Sequence, residues 1–320
     1  MRVSVIVVNY GTAALTRAAV ESVLSRDHGE ISVDIHVVDN ASPQGDAAQL
    51  ADLQSDRVTI YPEKENHGFG RGNNLVLDKL AAQVSKPDFV FLLNPDARLR
   101  NNALERMATF LQKQPKVAAV GARITKPGIG ARVAAFRFPN LVNEFSGAIS
   151  FGPVDRLLRN KSVTIPADSA TQAVDWVAGA AVMIRFDVLQ AVGGFDPAFF
   201  LYYEEVDLMR RIKDAGHEIW FLAEAEVEHE EGAATKVSSS APERRRKPSY
   251  WYWSWQYYFR KTHGRAYALA TAGLMVAGAM CNHIIARIRG RQPSAPLRFF
   301  GDFWAMAIRP LLGLKARGYD

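Results

Sequence analysis

The sequence contains one cysteine, Cys281, in 320 residues. A single thiol excludes an intramolecular disulfide and any metal cluster built on cysteines, which is typical of a protein in a reducing compartment. The first two residues run straight into the apolar residues 3–8, and no small-residue cleavage site follows them. We therefore expect no signal peptide, and a location in the cytoplasm or on the cytoplasmic face of a membrane.

Two common phosphate-binding sequences are also missing. A dinucleotide-binding fold places several glycines directly after its first strand, whereas residues 9–12 contain only Gly11. The GxxxxGKS or GxxxxGKT loop of nucleoside triphosphatases does not occur. These absences disfavour nicotinamide-dependent enzymes and enzymes that hydrolyse nucleoside triphosphates.

The composition that is present is globular, with 48% hydrophobic and 22% charged residues. The net charge is +6, and it is unevenly distributed: residues 30–100 mix both signs, whereas residues 243–247 and 260–317 are mostly basic. A basic surface favours nucleic acid, anionic lipid or phosphorylated ligands. We predict a catalytic domain over residues 1–240 and a basic tail over residues 241–320.

The order of the apolar segments predicts the fold. Residues 3–10 and 33–40 have the character of strands, and apolar residues recur at helical spacing between them. A strand, a helix and a strand of these lengths predict a parallel βαβ unit with a right-handed crossover. We expect an α/β fold with a mostly parallel central sheet flanked by helices. Residues 125–169 show no clear period, and we predict a lid or binding loop there.

Carboxylates follow two of the predicted strands. The apolar residues 89–93 predict a strand buried on both faces, and the sequence Asn94-Pro95-Asp96 follows it. The second strand carries Asp39 at its end. Because ligands bind at the carboxyl edge of open α/β sheets, Asp96 is the first candidate for chemistry. The alternative is a simple turn, which Asn-Pro-Asp also favours.

Alternating glycines follow the third strand, at positions 68, 70 and 72, ahead of a predicted helix over residues 75–82. Glycine lets the backbone approach a ligand closely, and a helix amino end beside Arg71 suits a phosphate. The alternative is a flexible loop, since a single glycine cluster is weakly specific.

Three acids, Glu204, Glu205 and Asp207, begin another predicted helix directly after the aromatic residues 199–203. A helix dipole favours negative charge at this end, so each could be an ordinary helix-start acid. The aromatic residues would carry them into a partly buried site, and burial raises the pKa of a carboxyl group toward the range of a general base.

The last predicted strand ends in a histidine. Residues 223–230 alternate between glutamates and other residues, so His229 faces inward if the glutamates face water. An inward histidine is more often a hydrogen-bonded core residue than a metal ligand, and its role depends on what lies opposite.

Taken in order, these motifs resemble those of inverting family 2 glycosyltransferases of the Rossmann-like GT-A fold, and most of all bacterial rhamnosyltransferase-like members. The resemblance covers roughly residues 1–235. It rests on the sequences VIVVNY at the start, VVDNAS around Asp39, NHGFGRGN around Gly68, LLNPD ending at Asp96, WVAGA from Trp176, and GGFD followed by FFLYYEEVDL around Glu205.

The resemblance implies a donor site for a nucleoside diphosphate sugar. It implies that Asn9 and Tyr10 line the nucleotide base and that Asp39 accepts a hydrogen bond from the pyrimidine ring N–H. It also places Asn66, Gly68 and Asn73 on the nucleoside and diphosphate. We assign Arg71, from its position at the helix amino end, and Asn94, from its motif, to the same nucleotide-sugar site.

The resemblance also implies a divalent metal ion, Mg²⁺ or Mn²⁺. Asn94 and Asp96 stand where the family has its Asp-x-Asp motif, and His229 matches a histidine that ligands the metal in many relatives. Hard oxygen ligands and a diphosphate suit either ion. Asn94 departs from the pattern, because a neutral amide binds a divalent ion less strongly than a carboxylate.

The helix-start acids match the family's Glu-Asp motif, whose second member is the general base. Here the motif is Glu204-Glu205, so Glu205 replaces an aspartate by a side chain one methylene longer, and Asp207 is its rival for the role of base. The acceptor would be contacted by Trp176, Gly179 and Ala180. The implied reaction is sugar transfer with inversion, from dTDP-rhamnose first and UDP-sugars next, to a saccharide or polyprenyl-linked saccharide in cell-surface polysaccharide synthesis.

The tail is rich in Trp and Tyr over residues 250–259, with basic residues on both sides. Such a mixture is typical of a bilayer interface, although a helix packed on the catalytic domain or a nucleic-acid surface has a similar composition. Nothing else resembles a nucleic-acid module, so we expect no nucleic-acid partner. Residues 266–286 are nearly long enough to span a membrane, and we favour a peripheral, interfacial helical hairpin completed by residues 297–314.

Two rival functions remain at this point. A sugar-phosphate nucleotidyltransferase would need a glycine-rich, arginine-bearing loop after the first strand, which is missing. A non-catalytic, membrane-associated nucleotide-sugar binder is suggested by the departures from the family pattern at Asn94 and Glu205.

Overall fold

A computed structural model describes residues 1–230 and 244–318. In these ranges the chain forms twelve strands and twelve α-helices. The strands are β1 (Arg2–Asn9), β2 (Ser32–Asp39), β3 (Val58–Pro62), β4 (Phe89–Leu93), β5 (Ala97–Leu99), β6 (Val117–Lys126), β7 (Gly130–Arg132), β8 (Ala135–Phe136), β9 (Gln172–Val174), β10 (Trp176–Val177), β11 (Ala181–Arg185) and β12 (Glu218–His229). The helices are α1 (Ala13–Leu24), α2 (Asp46–Leu50), α3 (Gly68–Ala81), α4 (Ala103–Lys113), α5 (Leu141–Ile149), α6 (Gly152–Leu157), α7 (Phe186–Ala191), α8 (Glu204–Asp214), α9 (Ser249–His263), α10 (Arg265–Ile288), α11 (Phe299–Phe303) and α12 (Arg309–Leu311).

The chain divides into two compact units. Of the described residues, the first comprises Met1–Phe136, Ile165–Phe200 and residues 204–230, and the second comprises Arg137–Thr164, Leu201–Tyr203 and residues 244–318. The predicted boundary between residues 240 and 241 lies outside the described residues, as does Glu243 at the start of the predicted basic run. Residues 137–164, which fall within the predicted catalytic domain, group with the second unit.

The first unit is built on one mixed sheet with the strand order β3-β2-β1-β4-β11-β6-β12-β5. Strands β1 to β4 are parallel, as the βαβ pattern predicts, and β6 and β12 are also parallel. β11 runs antiparallel to both of its neighbours, β4 and β6. All five residues of β4 are buried, which explains why this strand is apolar throughout.

The structure corrects the predicted start of one helix. α3 begins at Gly68, seven residues before the predicted start at residue 75. Its glycines lie in the helix and allow close packing, since a Cβ on Gly72 would stand 2.9 Å from Cγ1 of Val8, and one on Gly70 would stand 3.0 Å from Cβ of Phe195. The glycines that we expected ahead of the helix are therefore helical residues packed against the sheet and its neighbours.

The second unit is mostly helical. The buried side of α9 is aromatic, with Trp255 and Phe259 packed at 4.8 Å between ring centroids. The predicted lid or loop over residues 125–169 contains short strands and helices, of which α5 packs against α10. Among the described residues, α10 is the one helix that is long and apolar enough to cross a membrane, with a mean hydropathy of 1.5.

Candidate functional site

The candidate site lies in the first unit, at the carboxyl ends of β1, β2 and β4. β1 pairs with β2 on one side and with β4 on the other, so the direction in which the strands follow one another reverses at this point of the sheet. Such a switch point leaves a crevice outside the strand ends, where α/β proteins bind ligands.

Asp39 is fixed by its neighbours at this edge. Its carboxylate accepts hydrogen bonds from Nδ2 of Asn9 at 3.0 Å, from the backbone N–H of Ala47 at 3.1 Å and from the hydroxyl of Ser42. Asn9 is fully buried, and its amide also bonds Asp46. The geometry therefore favours an indirect role for Asn9, in orienting Asp39, over the predicted contact with the base.

Tyr10 is the exposed member of this group. Its side chain is 40% exposed, beside the buried Asn9 and the buried Asp39. An exposed aromatic ring at a sheet edge can stack on a nucleotide base. The contact of Tyr10 with the base stays a prediction.

The segment before α3 is held by an asparagine network. Oδ1 of Asn66 accepts hydrogen bonds from Nδ2 of Asn40 at 3.0 Å and from the N–H of Gly68 at 2.9 Å. Asn40 also accepts from the N–H of His67 at 2.9 Å. Gly68 has φ +74°, and a Cβ there would stand 2.0 Å from the carbonyl oxygen of Phe200, so only glycine fits.

Two further predicted ligands of the diphosphate bond to the backbone of the same helix start. Nε of Arg71 donates to the carbonyl of His67 at 2.8 Å, and Nδ2 of Asn73 donates to the carbonyl of Phe69 at 2.9 Å. Oδ1 of Asn73 is buried and has no hydrogen-bond partner within residues 1–230 and 244–318. Their contacts with a donor stay predictions.

Asp96 and His229 meet, although 133 positions separate them in the sequence. β12 pairs with β5 so that His229 lies opposite Ala97, and Nε2 of His229 stands 2.9 Å from Oδ1 of Asp96. The side-chain amide of Asn94 stands 3.3 Å from the same nitrogen. Asn94, Asp96 and His229, the three residues predicted at the metal site, therefore lie within hydrogen-bond distance of one another through Nε2 of His229.

These residues fit a divalent metal ion. A single imidazole nitrogen cannot donate to Asp96 and accept from the Asn94 amide at once, so one of the two contacts is unsatisfied unless a cation replaces it or the amide is turned over. A carboxylate oxygen and an imidazole nitrogen are ligands that Mn²⁺ accepts. No group of three or more His, Cys, Asp or Glu side chains comes together in the described part of the chain, so the protein offers at most two strong ligands here.

The three acids of α8 have different surroundings. Asp207 is 2% exposed, and its carboxylate accepts from Nε of Arg211 at 2.9 Å. Arg211 also donates to the carbonyls of Val192 at 2.6 Å and Gly194 at 2.7 Å, which ties the helix to the preceding loop. Asp207 thus already has an ionic partner. The spacing of four residues between Asp207 and Arg211 is typical of an ion pair on one face of a helix.

Glu204 and Glu205 are not paired in this way. Oε2 of each is buried and has no hydrogen-bond partner among the described residues. Burial raises the pKa of Glu205, and burial together with the neighbouring Glu205 raises the pKa of Glu204 well above its ordinary value. A carboxylate with one buried oxygen that lacks a hydrogen-bond partner, and with a raised pKa, is suited to accept a proton.

The segment of Gly179 and Ala180 connects the two ends of the site. The N–H of Asn94 donates to the carbonyl of Ala180 at 2.9 Å. A Cβ on Gly179 would stand 3.4 Å from the ring of Phe69 and 3.9 Å from Cβ of Glu205. The candidate metal ligands and the candidate base therefore flank the same short segment.

Trp176, the third predicted acceptor residue, lies in β10, directly before the segment of Gly179 and Ala180. Its ring stacks on Phe136 at 4.0 Å between centroids and 13° between planes. Two further residues organise the site, Asn40 and Phe69, and neither was predicted from the sequence. Asn40 stood next to Asp39 in the same motif, whereas nothing in the sequence marked Phe69 as a neighbour of Gly179.

Comparison with known proteins gives consistent results. The chain is 27% identical over 216 residues to the N-acetylglucosaminyl-diphospho-decaprenol L-rhamnosyltransferase of Mycobacterium tuberculosis, a match covering 64% of this chain and 69% of the relative. It is 24% identical over 160 residues to the rhamnosyltransferase WbbL of Escherichia coli, covering 49% of this chain and 58% of the relative.

Solved structures show the same fold. The mannosyltransferase PcManGT from Pyrobaculum calidifontis, in complex with GDP-Man and Mn²⁺, matches with a TM-score of 0.53 at 18% identity, over 98% of this chain and 82% of its own. TarS of S. aureus matches with a TM-score of 0.57 at 14% identity, over 98% of this chain and 49% of its own. The fold is therefore of the GT-A type, as predicted.

The family profile described as "Glycosyltransferase like family 2" matches residues 1–248, which include the whole site described above. The chain belongs to glycosyltransferase family 2 and is rhamnosyltransferase-like.

Proposed function

We propose that the protein transfers a sugar from a nucleoside diphosphate donor to a hydroxyl group of an acceptor, with inversion at the anomeric carbon. The observation that carries the proposal is the position of Glu205. Oε2 of Glu205 is buried without a hydrogen-bond partner among the described residues, and Cβ of Glu205 lies beside Gly179, whose neighbour Ala180 accepts a hydrogen bond from Asn94. A base at one end of the segment and phosphate-directed groups at the other suit a displacement reaction.

Glu205 would act as the general base. Its carboxylate takes the proton of the acceptor hydroxyl, while the hydroxyl oxygen bonds to the anomeric carbon and the bond from that carbon to the diphosphate oxygen breaks. Glu204, whose pKa is raised well above its ordinary value by burial and by Glu205, would remain protonated beside it. Asp207 would fix the start of α8 through Arg211.

The donor would be held at the edge of the sheet. Asp39 would accept the pyrimidine N–H, Tyr10 would stack on the base, and Asn9 would orient Asp39. Asn66 and Gly68 would shape the segment before α3, which would face the nucleoside. Arg71, Asn73 and Asn94 would approach the diphosphate.

Asp96 and His229 would hold a divalent ion, Mg²⁺ or Mn²⁺, and Asn94 would be a weaker third ligand. Such an ion, when bound, neutralises negative charge on the leaving nucleoside diphosphate. With few protein ligands, the site depends on the donor's phosphates to complete the coordination, as Mg²⁺ sites often do.

The proposed donor and acceptor are based on the two relatives named above. Both are named rhamnosyltransferases, which supports dTDP-rhamnose as the first donor and UDP-sugars as the next. The mycobacterial relative is named for a saccharide linked to decaprenyl diphosphate, which supports a polyprenyl-linked acceptor in cell-surface polysaccharide synthesis. A lipid-linked acceptor places the enzyme at the cytoplasmic face of the membrane, with residues 1–240 as the catalytic domain and residues 241–320 as the membrane-associating tail.

The test is transfer by the full-length chain. The protein is incubated with dTDP-rhamnose or UDP-sugars and a polyprenyl-diphosphate-linked N-acetylglucosamine, with Mn²⁺ or with EDTA. We expect release of nucleoside diphosphate and a glycosylated product of inverted configuration, both abolished by EDTA. Binding of a nucleotide sugar without turnover would identify a non-catalytic binder, and release of pyrophosphate from a sugar phosphate and a nucleoside triphosphate would identify a nucleotidyltransferase.

A further inference from the structure

Helix α10 in the second unit buries small side chains and exposes large apolar ones. Its buried residues are alanines and a glycine together with Thr271 and Asn282. Its large exposed side chains are Leu274, Met280, Ile284 and Ile288, which are 39%, 54%, 60% and 79% exposed. A helix in contact with water has the opposite arrangement, with its large apolar residues toward the core.

The exposed side of α10 is apolar along nearly its whole length. Apart from Arg265 and Arg287 near the helix ends, each exposed residue of α10 is apolar or small. At 100° per residue, these uncharged exposed positions fall within an arc of about 120°. We call this arc the outer face, with Leu274, Met280, Ile284 and Ile288 as its large residues. A continuous apolar surface of this kind marks an interaction site.

The opposite face of α10 is occupied by α5. A Cβ on Gly278 would stand 2.9 Å from the carbonyl oxygen of Phe145, so the two backbones are in close contact. Nδ2 of Asn282 donates to the carbonyl of Ile149 at 2.9 Å, which satisfies a buried polar group. Rotation of α10 to bury its large side chains would break this packing, so the outer face is fixed outward.

A second apolar element lies beside α10. The ring of Phe300 in α11 stands 5.2 Å from the ring of His283, between centroids. Phe300 is 37% exposed and Trp304, one turn later, is 49% exposed. Amphipathic aromatic rings such as Trp are favoured where hydrocarbon meets water.

The charge around the outer face selects the partner. Residues 244–318 contain fourteen Arg and Lys residues and a single acid, Asp302. Asp302 is buried and paired with Arg246, at 2.6 Å between their nearest atoms. Arg287, Arg289 and Arg291, at the carboxyl end of α10, are all exposed. A second copy of the chain would carry the same excess of positive charge over residues 244–318, whereas anionic lipid headgroups complement it.

We propose that the outer face of α10, with Phe300 and Trp304, lies in the plane of an anionic lipid leaflet and does not span the bilayer. The large apolar side chains enter the boundary between headgroups and acyl chains, and the arginines contact lipid phosphates. The in-plane arrangement keeps α5 against α10, whereas a span would carry α5 and its neighbours into hydrocarbon. The inference deepens the proposed function, on which it rests for its purpose, since a lipid-linked acceptor is presented at this surface.

Vesicle sedimentation tests the lipid contact without any sugar. Full-length protein is mixed with vesicles of phosphatidylcholine alone or with about one third phosphatidylglycerol. We expect at least about tenfold tighter binding to the anionic vesicles, since each basic residue near the surface contributes about fivefold. Ile284→Glu should weaken this binding by about tenfold or more, because a charge on the inserted face must be desolvated.

Val84→Glu is the matched control, because Val84 is a fully exposed aliphatic residue of the first unit. Its vesicle binding should equal that of the wild type. Circular dichroism of both variants checks that they fold. Equal binding by Ile284→Glu and the wild type, or equal binding to neutral and anionic vesicles, overturns the proposal.

The native Cys281, on the outer face, allows the orientation to be measured. A fluorophore on Cys281, and on cysteines placed at Leu274 and Ile288 in a Cys281→Ser background, is quenched by lipids that carry quenchers at known depths. Three similar depths support the in-plane helix, and depths that change by about 1.5 Å per residue show a span and overturn it. Light scattering that shows a dimer dissociated by Ile284→Glu, with no vesicle binding, assigns the face to a second copy instead.

The two proposals fail separately. Ile284→Glu should transfer sugar to a water-soluble acceptor as the wild type does, and lose transfer only to an acceptor embedded in vesicles. Wild-type protein that binds anionic vesicles but transfers to neither acceptor refutes the proposed function alone. Protein that transfers to both without binding vesicles refutes the lipid-docking face alone.

Discussion

Replacement of Glu205 by glutamine tests the assignment of the base. The change keeps the shape of the side chain and removes its ability to take a proton. Because general-base catalysis contributes about 10²- to 10⁴-fold, kcat should fall by about that factor. The free energy of unfolding should be unchanged or higher, because burial already disfavours the charged form of this carboxyl group and raises its pKa.

The neighbouring acids supply controls on the same helical turn. Burial and the nearby Glu205 raise the pKa of Glu204 well above its ordinary value, which favours the neutral form that Glu204→Gln mimics, and kcat should stay within a few-fold. Asp207→Asn removes one partner of the ion pair with Arg211, whose side chain is 25% exposed against 3% for Asp207. Breaking a pair that is buried on one side should cost about 3 kcal/mol of stability, while kcat per folded molecule changes less than tenfold.

The assay is sugar transfer under saturating donor and acceptor, with urea unfolding of each variant. The wild-type value of kcat/KM should rise with pH as Glu205 loses its proton, and the midpoint of that rise should lie above the ordinary pKa of a glutamate, since burial raises it. Near-full turnover by Glu205→Gln, with loss of turnover but not of stability in Asp207→Asn, would show that Asp207 is the base.

Three other changes test the stability and the metal end. Burial raises the pKa of Glu144 to about 7, so the folded state holds a proton that the unfolded state releases above about pH 4.5, and stability is lost as the pH rises between these values. Glu144→Gln should remove that loss. In urea unfolding, the free energy of unfolding of the variant, relative to that of the wild type, should be at most about 3 kcal/mol higher at pH 8 than at pH 5. Parallel curves of stability against pH for the two proteins would refute this expectation. Asn94→Asp should tighten Mn²⁺ binding about tenfold by calorimetry in the presence of nucleoside diphosphate, because it adds a charged ligand, and unchanged affinity would exclude Asn94 from the metal end. Gly68→Ala should cost more than about 3 kcal/mol, because its Cβ would meet the carbonyl of Phe200, whereas Gly193→Ala, with φ +80° and open space, should cost about 1–2 kcal/mol; equal losses would contradict the steric argument.

Local patterns predicted the elements that carry the site. The apolar run before Asn94 predicted β4, because a strand buried on both faces has no polar alternation. The acids after an aromatic segment predicted the start of α8 at Glu204, where a helix dipole favours negative charge. In both cases the residues that determine the element lie within about ten positions of one another in the sequence.

Contacts between distant segments could not be predicted in the same way. The glycines before residue 75 are common to loops and to closely packed helices, and the choice depends on Val8 and Phe195, which only the fold brings near. From the sequence, Asn9 and Tyr10 were equally good candidates to contact the nucleotide base. The structure separates them, because Asn9 is fully buried and bonded to Asp39 while Tyr10 is exposed.

Length and hydropathy describe α10 as a helix that can cross a membrane, and they cannot distinguish a span from a helix lying on a surface. The distinction depends on which residues are exposed. In the in-plane position that we propose, α5 covers one side of α10 and the apolar arc on the other side meets lipid, whereas a span would also carry α5 into hydrocarbon.

Position 205 carries a glutamate where the family resemblance leads us to expect an aspartate, and Gly179 lies beside it. A longer side chain at the same helix position carries its carboxylate about 1.5 Å further, so it needs space that an aspartate does not. Gly179 has no side chain to compete for that space, and a Cβ there would stand 3.9 Å from Cβ of Glu205 and 3.4 Å from the ring of Phe69. Gly179→Ala should therefore restrict Glu205 more than it would restrict an aspartate, and the double variant Gly179→Ala, Glu205→Asp should recover part of the turnover that Gly179→Ala loses. Additive losses in the two single variants would show that the glycine and the base act independently.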